Sequence, residues 1–388
     1  MYVLLLACAA EGGPGTLVTT PDGWYLPFGA ADTDEGWGID QLEGGDLIIA
    51  THQAAPRVLP DIYLYRISTD GEVLWERPYG DGDSELAYVV ETDGNIAYAG
   101  GSRFSGLGTE TADALLLALD AETGWVEWDW SYDGGFGYEE IDGIVAEGQD
   151  LYLSGWTTTE LGNDMLLAKL DSAGNEIWIS SWGGSRWDEA NGHLVADESS
   201  LYVAGLIDGD SYAQGGDALV AAFSKQDGSP LWQARLGEEA GLWDDALGLT
   251  LYEGRLYAVG SAAGSSYDLK IWCLETDGTI VWEQSFAGSG AESGRSLVAN
   301  SSGLWVGLNS SSEGAGEVDM GILKLGLDGS NPVRTLLWGG VGHEEVHDLV
   351  LSNGSAFLIG QTSSLGEGKE DAVLIRANAA TEQAITVP

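Results

Sequence analysis

Asp164–Leu170 reads DMLLAKL, an acid followed by an apolar run that a single lysine interrupts. Counterparts start at Asp61 (DIYLYRI), Asp113 (DALLLAL), Asp217 (DALVAAF), Asp268 (DLKIWCL), Asp319 (DMGILKL) and Asp371 (DAVLIRA), at intervals of 52, 51, 53, 51, 51 and 52 residues. A near-constant period repeated seven times means one supersecondary unit stacked on copies of itself. Upstream of Asp164 lie Glu139 and Glu140, the run IDGIVAEG, the run DLYLSG and the loop TTTELGN; downstream come the turn DSAG and NEIWISSWG. Each apolar run is four to eight residues long and bounded by Gly, Asp or Asn, which is how strands joined by tight turns read. Helical spacing of apolar residues is absent. Seven such four-stranded meanders predict an all-β, seven-bladed β-propeller of antiparallel blades.

Other positions keep the same beat. Trp24, Trp75, Trp128, Trp178, Trp232 and Trp282 fall on the fourth strand of successive units, and Tyr98, Tyr152, Tyr202, Tyr257, Trp305 and Phe357 on the second. Large aromatics at fixed sheet positions fill the wedge between blades. Each period-marking Asp is expected to accept turn N–H groups, as Asx residues do. In the sixth unit Arg334 stands where the tryptophan is expected. Closure of the ring has two candidates. The strand around Trp24, whose WYLPFG mirrors WERPYG at Trp75, can complete the last blade, and so can the C-terminal QAITV with Ile385. The better match of the Trp24 segment favours closure by the N-terminal strand.

The pattern G-G, paired acids, D-G-x-x-Y-x-x-G, a variable loop, D-x-x-L, L-D-x-x-G-x-x-x-W resembles the bacterial β-propeller repeat family known as SBBP. The resemblance covers about residues 22–388. It implies a secreted or surface protein, mostly without assigned activity. LDAETGWVEW, ending at Trp128, also resembles the tryptophan-docking motif of pyrroloquinoline-quinone-type propellers. Those have shorter repeats and eight blades, so the period favours the first family.

The chain of 388 residues carries 62 acidic against 15 basic residues, a net charge of −47. This excludes nucleic acid as a partner, since phosphate neutralisation needs clustered Lys and Arg. The acids are spread over every repeat, so they make an acidic folded surface that needs screening by ions. The cysteines are Cys8 and Cys273. Cys273, inside LKIWCL, reads as a small core hydrophobe. Leu5-Leu6-Ala7-Cys8 resembles a lipoprotein lipobox, with Cys8 as the lipidated residue, although no Lys or Arg precedes it. Residues 1–20 are accordingly read as a lipoprotein-like signal and flexible tether, and residues 21–388 as the propeller. Beyond the lipid anchor, no later segment offers eighteen uninterrupted apolar residues to a membrane.

The loops that join fourth to first strands carry an acidic cluster in each unit: Asp34 and Glu35, Asp83 and Glu85, Glu139 and Glu140, Asp188 and Glu189, Asp244 and Asp245, Glu292 alone, and Glu344 and Glu345. Since first strands line a propeller's channel, these predict carboxylates at its mouth, an oxygen-rich setting suited to Ca2+. The competing reading is that each pair caps its own loop. Tyr138, Trp187 and Trp243 precede the acids in three consecutive units, placing a flat ring beside a carboxylate as glycan binding requires; packing between blades is the alternative. His343-Glu344-Glu345-Val346-His347 spells H-E-x-x-H, yet the zinc-protease motif needs a helix. Here the segment enters a strand, where residues four apart sit about 13 Å from one another. His52 and His193 have no evident metal partner in the sequence. The sequons at Asn300, Asn309 and Asn353 matter only in a glycosylating host.

The expected function is therefore that of a non-catalytic, surface-anchored, monomeric binding or scaffold propeller in an extracytoplasmic, outer-membrane or cell-surface setting. Its ligand is a protein, a glycan or a divalent cation. The alternatives are a quinone-type propeller enzyme and an outer-membrane assembly scaffold.

Overall fold

The computed structural model of the chain describes residues 13–20, 23–29, 32–54, 60–80, 84–104, 111–209, 215–237, 243–263, 266–366, 369–378 and 383–386. Cys8, Asp83 and most of the proposed 1–20 tether lie outside them. Seven antiparallel sheets follow one another, and none of the described residues is helical. Blade 3 is typical, with strands Glu139–Glu147, Asp150–Thr158, Asn163–Asp171 and Glu176–Trp182 running outward from the axis. The innermost strands of the other blades are Glu35–Gln41, Ser84–Asp93, Trp187–Glu189 with Leu194–Ala196, Asp244–Tyr252, Glu292–Asn300 and Glu344–Ser352. Each touches the innermost strand of the next blade, and blade 7 returns to blade 1, so the ring is complete.

Tryptophan joins the blades. On an outermost strand its indole N–H reaches the carbonyl of the turn between third and fourth strands of the following blade: Trp75 to Ala121 at 3.0 Å, Trp178 to Lys225 at 3.4 Å, Trp232 to Thr276 at 3.0 Å and Trp282 to Leu327 at 3.3 Å. The ring lies flat over the glycine of that turn. Gly278 has φ +87°, and a Cβ there would stand 2.8 Å from the Trp232 ring. Both the backbone conformation and the closeness of the indole thus require glycine in the D-x-x-G turn. Trp24 makes the same contact across the seam, donating to Thr69 O at 3.3 Å.

The seam closes as the N-terminal reading predicts. Gly23–Gly29 pairs antiparallel with Asp371–Asn378, setting Trp24 opposite Arg376, and becomes the outermost principal strand of blade 7. Two features differ from expectation. Residues 13–20, read as tether, include Gly13–Pro14 and Val18–Thr20, which pair with Gly23–Gly29 and extend blade 7. Gln383–Thr386, the rival closing strand, lies parallel against Val333–Gly339, the outermost strand of blade 6. That is the blade where Arg334 replaces the tryptophan. Arg334 pairs with Glu313 at 2.5 Å, while Trp338 at the other end of the strand is buried. Cys273 is a buried free thiol in the core of blade 5, as expected.

Candidate functional site in the central channel

The acidic pairs divide their labour. With Asp83 outside the described residues, Glu85 takes the place of the first acid in blade 2, and this first acid is at most 5% exposed in every blade: Asp34, Glu85, Glu139, Asp188, Asp244, Glu292 and Glu344. What it bonds depends on its length. The aspartates reach a backbone N–H at the end of the second strand: Asp34 accepts from Ala54, Asp188 from Asp208 and Asp244 from Ala263, each at 2.8 Å. The glutamates, one methylene longer, accept instead from a hydroxyl eighteen residues on: Glu139 from Thr157 at 3.0 Å, Glu292 from Ser310 at 3.3 Å and Glu344 from Thr362 at 3.0 Å. Opposite Asp244 stands Ala262, and the strands facing Asp34 and Asp188 carry His52 with Gln53 and Leu206 with Ile207 there, none with a hydroxyl. Blade 2 substitutes a cation, Arg103, 3.5 Å from Glu85. Acid and acceptor therefore vary together within one chain. Apart from Glu85, the first acids accept hydrogen bonds within their own blades.

The period-marking aspartates stand beside these acids. A Cβ on Gly183 would meet Asp164 at 2.3 Å and the next blade's Asp188 at 3.0 Å; one on Gly339 would meet Asp319 at 2.0 Å and Glu344 at 2.6 Å. Two carboxylates close in this way over Gly29, Gly80, Gly183, Gly237 and Gly339, whereas Gly134 and Gly288 meet one carboxylate and a hydroxyl. Burial raises the pKa of Asp164, and the charge of Asp188 raises it further. Asp319 accepts loop N–H groups as expected, from Ala315 and Gly316, but these lie before it in the chain, so it closes the preceding loop and not an Asx turn; Asp217 pairs with Arg235 instead, at 2.9 Å. Of the proposed metal ligands, only Glu139 joins a cluster compact enough for an ion, together with Asp113 and Asp133, among the described residues.

The second acids sit further in. Glu140 accepts from Trp156 Nε1 at 2.6 Å, Glu189 from Asn163 Nδ2 at 2.7 Å, and Asp245 from the Ser261 backbone and hydroxyl, both at 2.9 Å. Glu35 accepts from Trp37 Nε1 at 2.9 Å. Glu345 lies between His343 at 3.2 Å, His347 at 3.6 Å and Arg295 at 3.6 Å. The His347 imidazole beside it, aided by the positive charge of Arg295, holds Glu345 down at about 2. H-E-x-x-H is accordingly part of a strand in which both imidazoles turn to one carboxylate.

Two residues beyond the second acid, sequence reasoning missed the channel lining. The innermost strands slip register around Trp37, Tyr88, Asp142, Leu247, Arg295 and His347, one β-bulge per blade, and the blade 4 strand is interrupted around Asn191. A bulge sets an extra residue against its partner strand and re-aims its side chain. Here these seven, with Gly192, His193 and Asp348, line one cavity on the axis. Around the ring run Trp, Tyr, Asp, Asn, Leu, Arg and His, seven different residues at one structural position. Their neighbours are small or apolar, as in Gly36 and Gly38, Ala87, Gly143, Ala190, and Ala246 and Gly248. A variable column inside a uniform frame was the available signal.

The lining is chemically divided. Trp37 packs edge-on against His347 with ring centroids 3.9 Å apart and against Tyr88 at 5.2 Å. Tyr88 shares a hydroxyl contact of 3.2 Å with Tyr138, whose ring is stacked on Trp156 at 4.8 Å. Of the proposed glycan platforms, Tyr138 thus has one face covered, and Trp187 and Trp243 are half-buried. Burial raises Glu140 to about 7 and raises its neighbour Asp142 well above the carboxylate range, with their mutual repulsion adding to the latter. Burial lowers His52 to about 3, so its Nε2 is free to accept the Ala87 N–H at 2.7 Å.

A family model described as outer membrane protein assembly factor BamB matches residues 163–319, under half of the chain. No curated protein matches. Among solved structures, a quinohemoprotein alcohol dehydrogenase from Comamonas testosteroni aligns over 98% of this chain and 76% of its own, with TM-score 0.52 and 9% identity. A protein of unknown function from Dyadobacter fermentans aligns over 89% of this chain and 96% of its own, with TM-score 0.50 and 9% identity. At such identities the likeness is one of fold.

Proposed function

We propose that the chain is an extracytoplasmic binding propeller whose rim engages a protein partner in outer-membrane assembly. The observation that carries this reading is the match of residues 163–319 to the model described as outer membrane protein assembly factor BamB. The rim supports it. Ile177, Leu231, Ile280 and Val281, on the outermost strands of blades 3, 4 and 5, are 41–53% exposed, an apolar series on an otherwise acidic molecule. Open sheet edges invite strand addition, in which backbone bonds give affinity and alternate side chains give selectivity. The chain's own ends already add to blades 6 and 7 in this way. The partner feature this suits is an extended apolar segment with basic flanks. Lipid attachment at Cys8, outside the described residues, belongs to the same reading.

A quinone enzyme fits less well. The channel cavity holds about 60 Å³, and the Trp37 and His347 rings meet across part of its wall, leaving no room for a tricyclic quinone. Calcium on the acid pairs and glycan on the three aromatic rings draw less support, because most first acids already accept from protein donors and the Tyr138 ring is covered. The test is photo-crosslinking from single positions on the full chain in intact envelopes. Crosslinks to one outer-membrane assembly protein from Ile177 and Leu231, and not from their inward-facing neighbours, are expected. Crosslinks only from the channel-mouth loops, or from none of these sites, would overturn the rim reading.

A further inference from the structure

Five buried polar atoms of the residues around the channel cavity have no hydrogen-bond partner within the protein: Asp142 Oδ2, Asn191 Oδ1, Arg295 Nε and both ring nitrogens of His347, whose Nε2 is 3.6 Å from Glu345. The His347 side chain is only 4% exposed. A polar atom removed from water without a replacement bond is destabilising, so these around one small space point to a guest that bonds them. Their order round the ring is informative. The oxygens of Asp142 and Asn191 come from blades 3 and 4, and the nitrogens of Arg295 and His347 from blades 6 and 7. In a ring of seven these two pairs face one another. Leu247 of blade 5 separates them on one side, and Trp37 and Tyr88 of blades 1 and 2 on the other.

We infer that this cavity binds a small zwitterion of amino-acid size, its ammonium held by Asp142 and Asn191 and its carboxylate by Arg295. Size agrees: 60 Å³ is room for about four waters by the usual measure of one probe sphere each, close to the heavy-atom count of the smallest amino acids. A bare metal ion fits poorly, because the compact acidic cluster of the described residues lies elsewhere, at Asp113, Asp133 and Glu139. A simple anion would face Asp142 and Asp348, and a simple cation would face Arg295. Only a ligand carrying both charges meets both walls.

The proposal is tested on the full chain by equilibrium dialysis and calorimetry with glycine, glycinamide and acetate. Glycine should saturate at one per chain and bind at least about tenfold more tightly than either probe lacking one charge. An ammonium beside Asp142 should drive its proton off, so the heat of binding should depend on the ionisation enthalpy of the buffer. R295Q and D142N should each weaken glycine binding by about tenfold or more without lowering the melting temperature comparably. Absence of saturable binding for glycine, alanine and β-alanine would overturn the proposal, as would equal affinity for glycine and acetate. Should either variant fail to fold, the three-probe comparison on the unaltered protein still decides.

Discussion

At the residue scale, the pairing of acid length with acceptor is the firmest local rule in the molecule. Glu344 reaches Thr362, whereas an aspartate would stop short and seek a backbone N–H. Glu344→Asp and Thr362→Ala should each destabilise by about 1–3 kcal/mol, since each strands a buried polar atom. Together they recreate the acid and non-hydroxyl pairing of blade 5, so their costs should fall short of additivity by about 1 kcal/mol in a urea-melt cycle. Strict additivity would mean that the internal covariation is accidental. Titration of the channel gives a second expectation. Glu140 is raised by burial from 4.5 to about 7, so the folded chain keeps a proton there that the unfolded chain has released. Stability from this group is present below pH 4.5 and lost as pH rises through 7. Glu345, lowered to about 2, acts oppositely, with its contribution full above 4.5 and lost as pH falls toward 2. The urea midpoint should therefore decline between about pH 5 and about pH 8, and Glu140→Gln should flatten that decline. An unchanged slope in the variant would assign the decline to other groups.

At the scale of the element, the closing strand carries more than its length suggests. Gly23–Gly29 gives blade 7 its outer strand and also docks Trp24 onto blade 1, so its loss opens the ring at two contacts. The strand Gln383–Thr386 only adds to an edge. Removing residues 1–30 should therefore lower the melting temperature far more than removing the last six residues, by differential scanning calorimetry. The reverse order would mean that the C-terminal strand holds the ring. The strands themselves were legible because their period, turn residues and docking tryptophans are written locally. The destination of QAITV was not: so short a strand carries no mark of the edge it will join. Nor were the bulges, since a register slip is a relation between two strands and leaves a single extra residue in one of them.

For the whole molecule, the seven-fold period dictated the architecture, and the charge dictated its surroundings. With a net charge of −47 and a buried acid in every blade, repulsion opposes the compact ring and screening should relieve it. Melting temperature is expected to rise with sodium chloride. Calcium at equal ionic strength should add little, because Asp34, Glu139, Asp188, Asp244 and Glu344 already accept from protein donors; a clear calcium increment would restore the metal reading of the acid pairs. The channel lining was harder to read than the fold because repetition conceals it. The acid pairs recur and so draw the eye, yet what recurs is scaffolding, while Trp37, Tyr88, Asp142, Asn191, Leu247, Arg295 and His347 share only a place.

That shared place makes the channel permutable. Each blade presents its bulge residue from an equivalent frame, so exchanging Asp142 with Arg295 alters neither composition nor net charge but turns the dipole across the axis end for end. Rotating all seven by one blade would keep every nearest-neighbour pair and only reset the direction in which a guest lies. Orientation and chemical identity, inseparable in most binding sites, become separable here, and a set of cyclic variants would form a compass on which ligand alignment can be dialled once the partners Glu35, Tyr138 and Glu345 are carried round with Trp37, Tyr88 and Arg295.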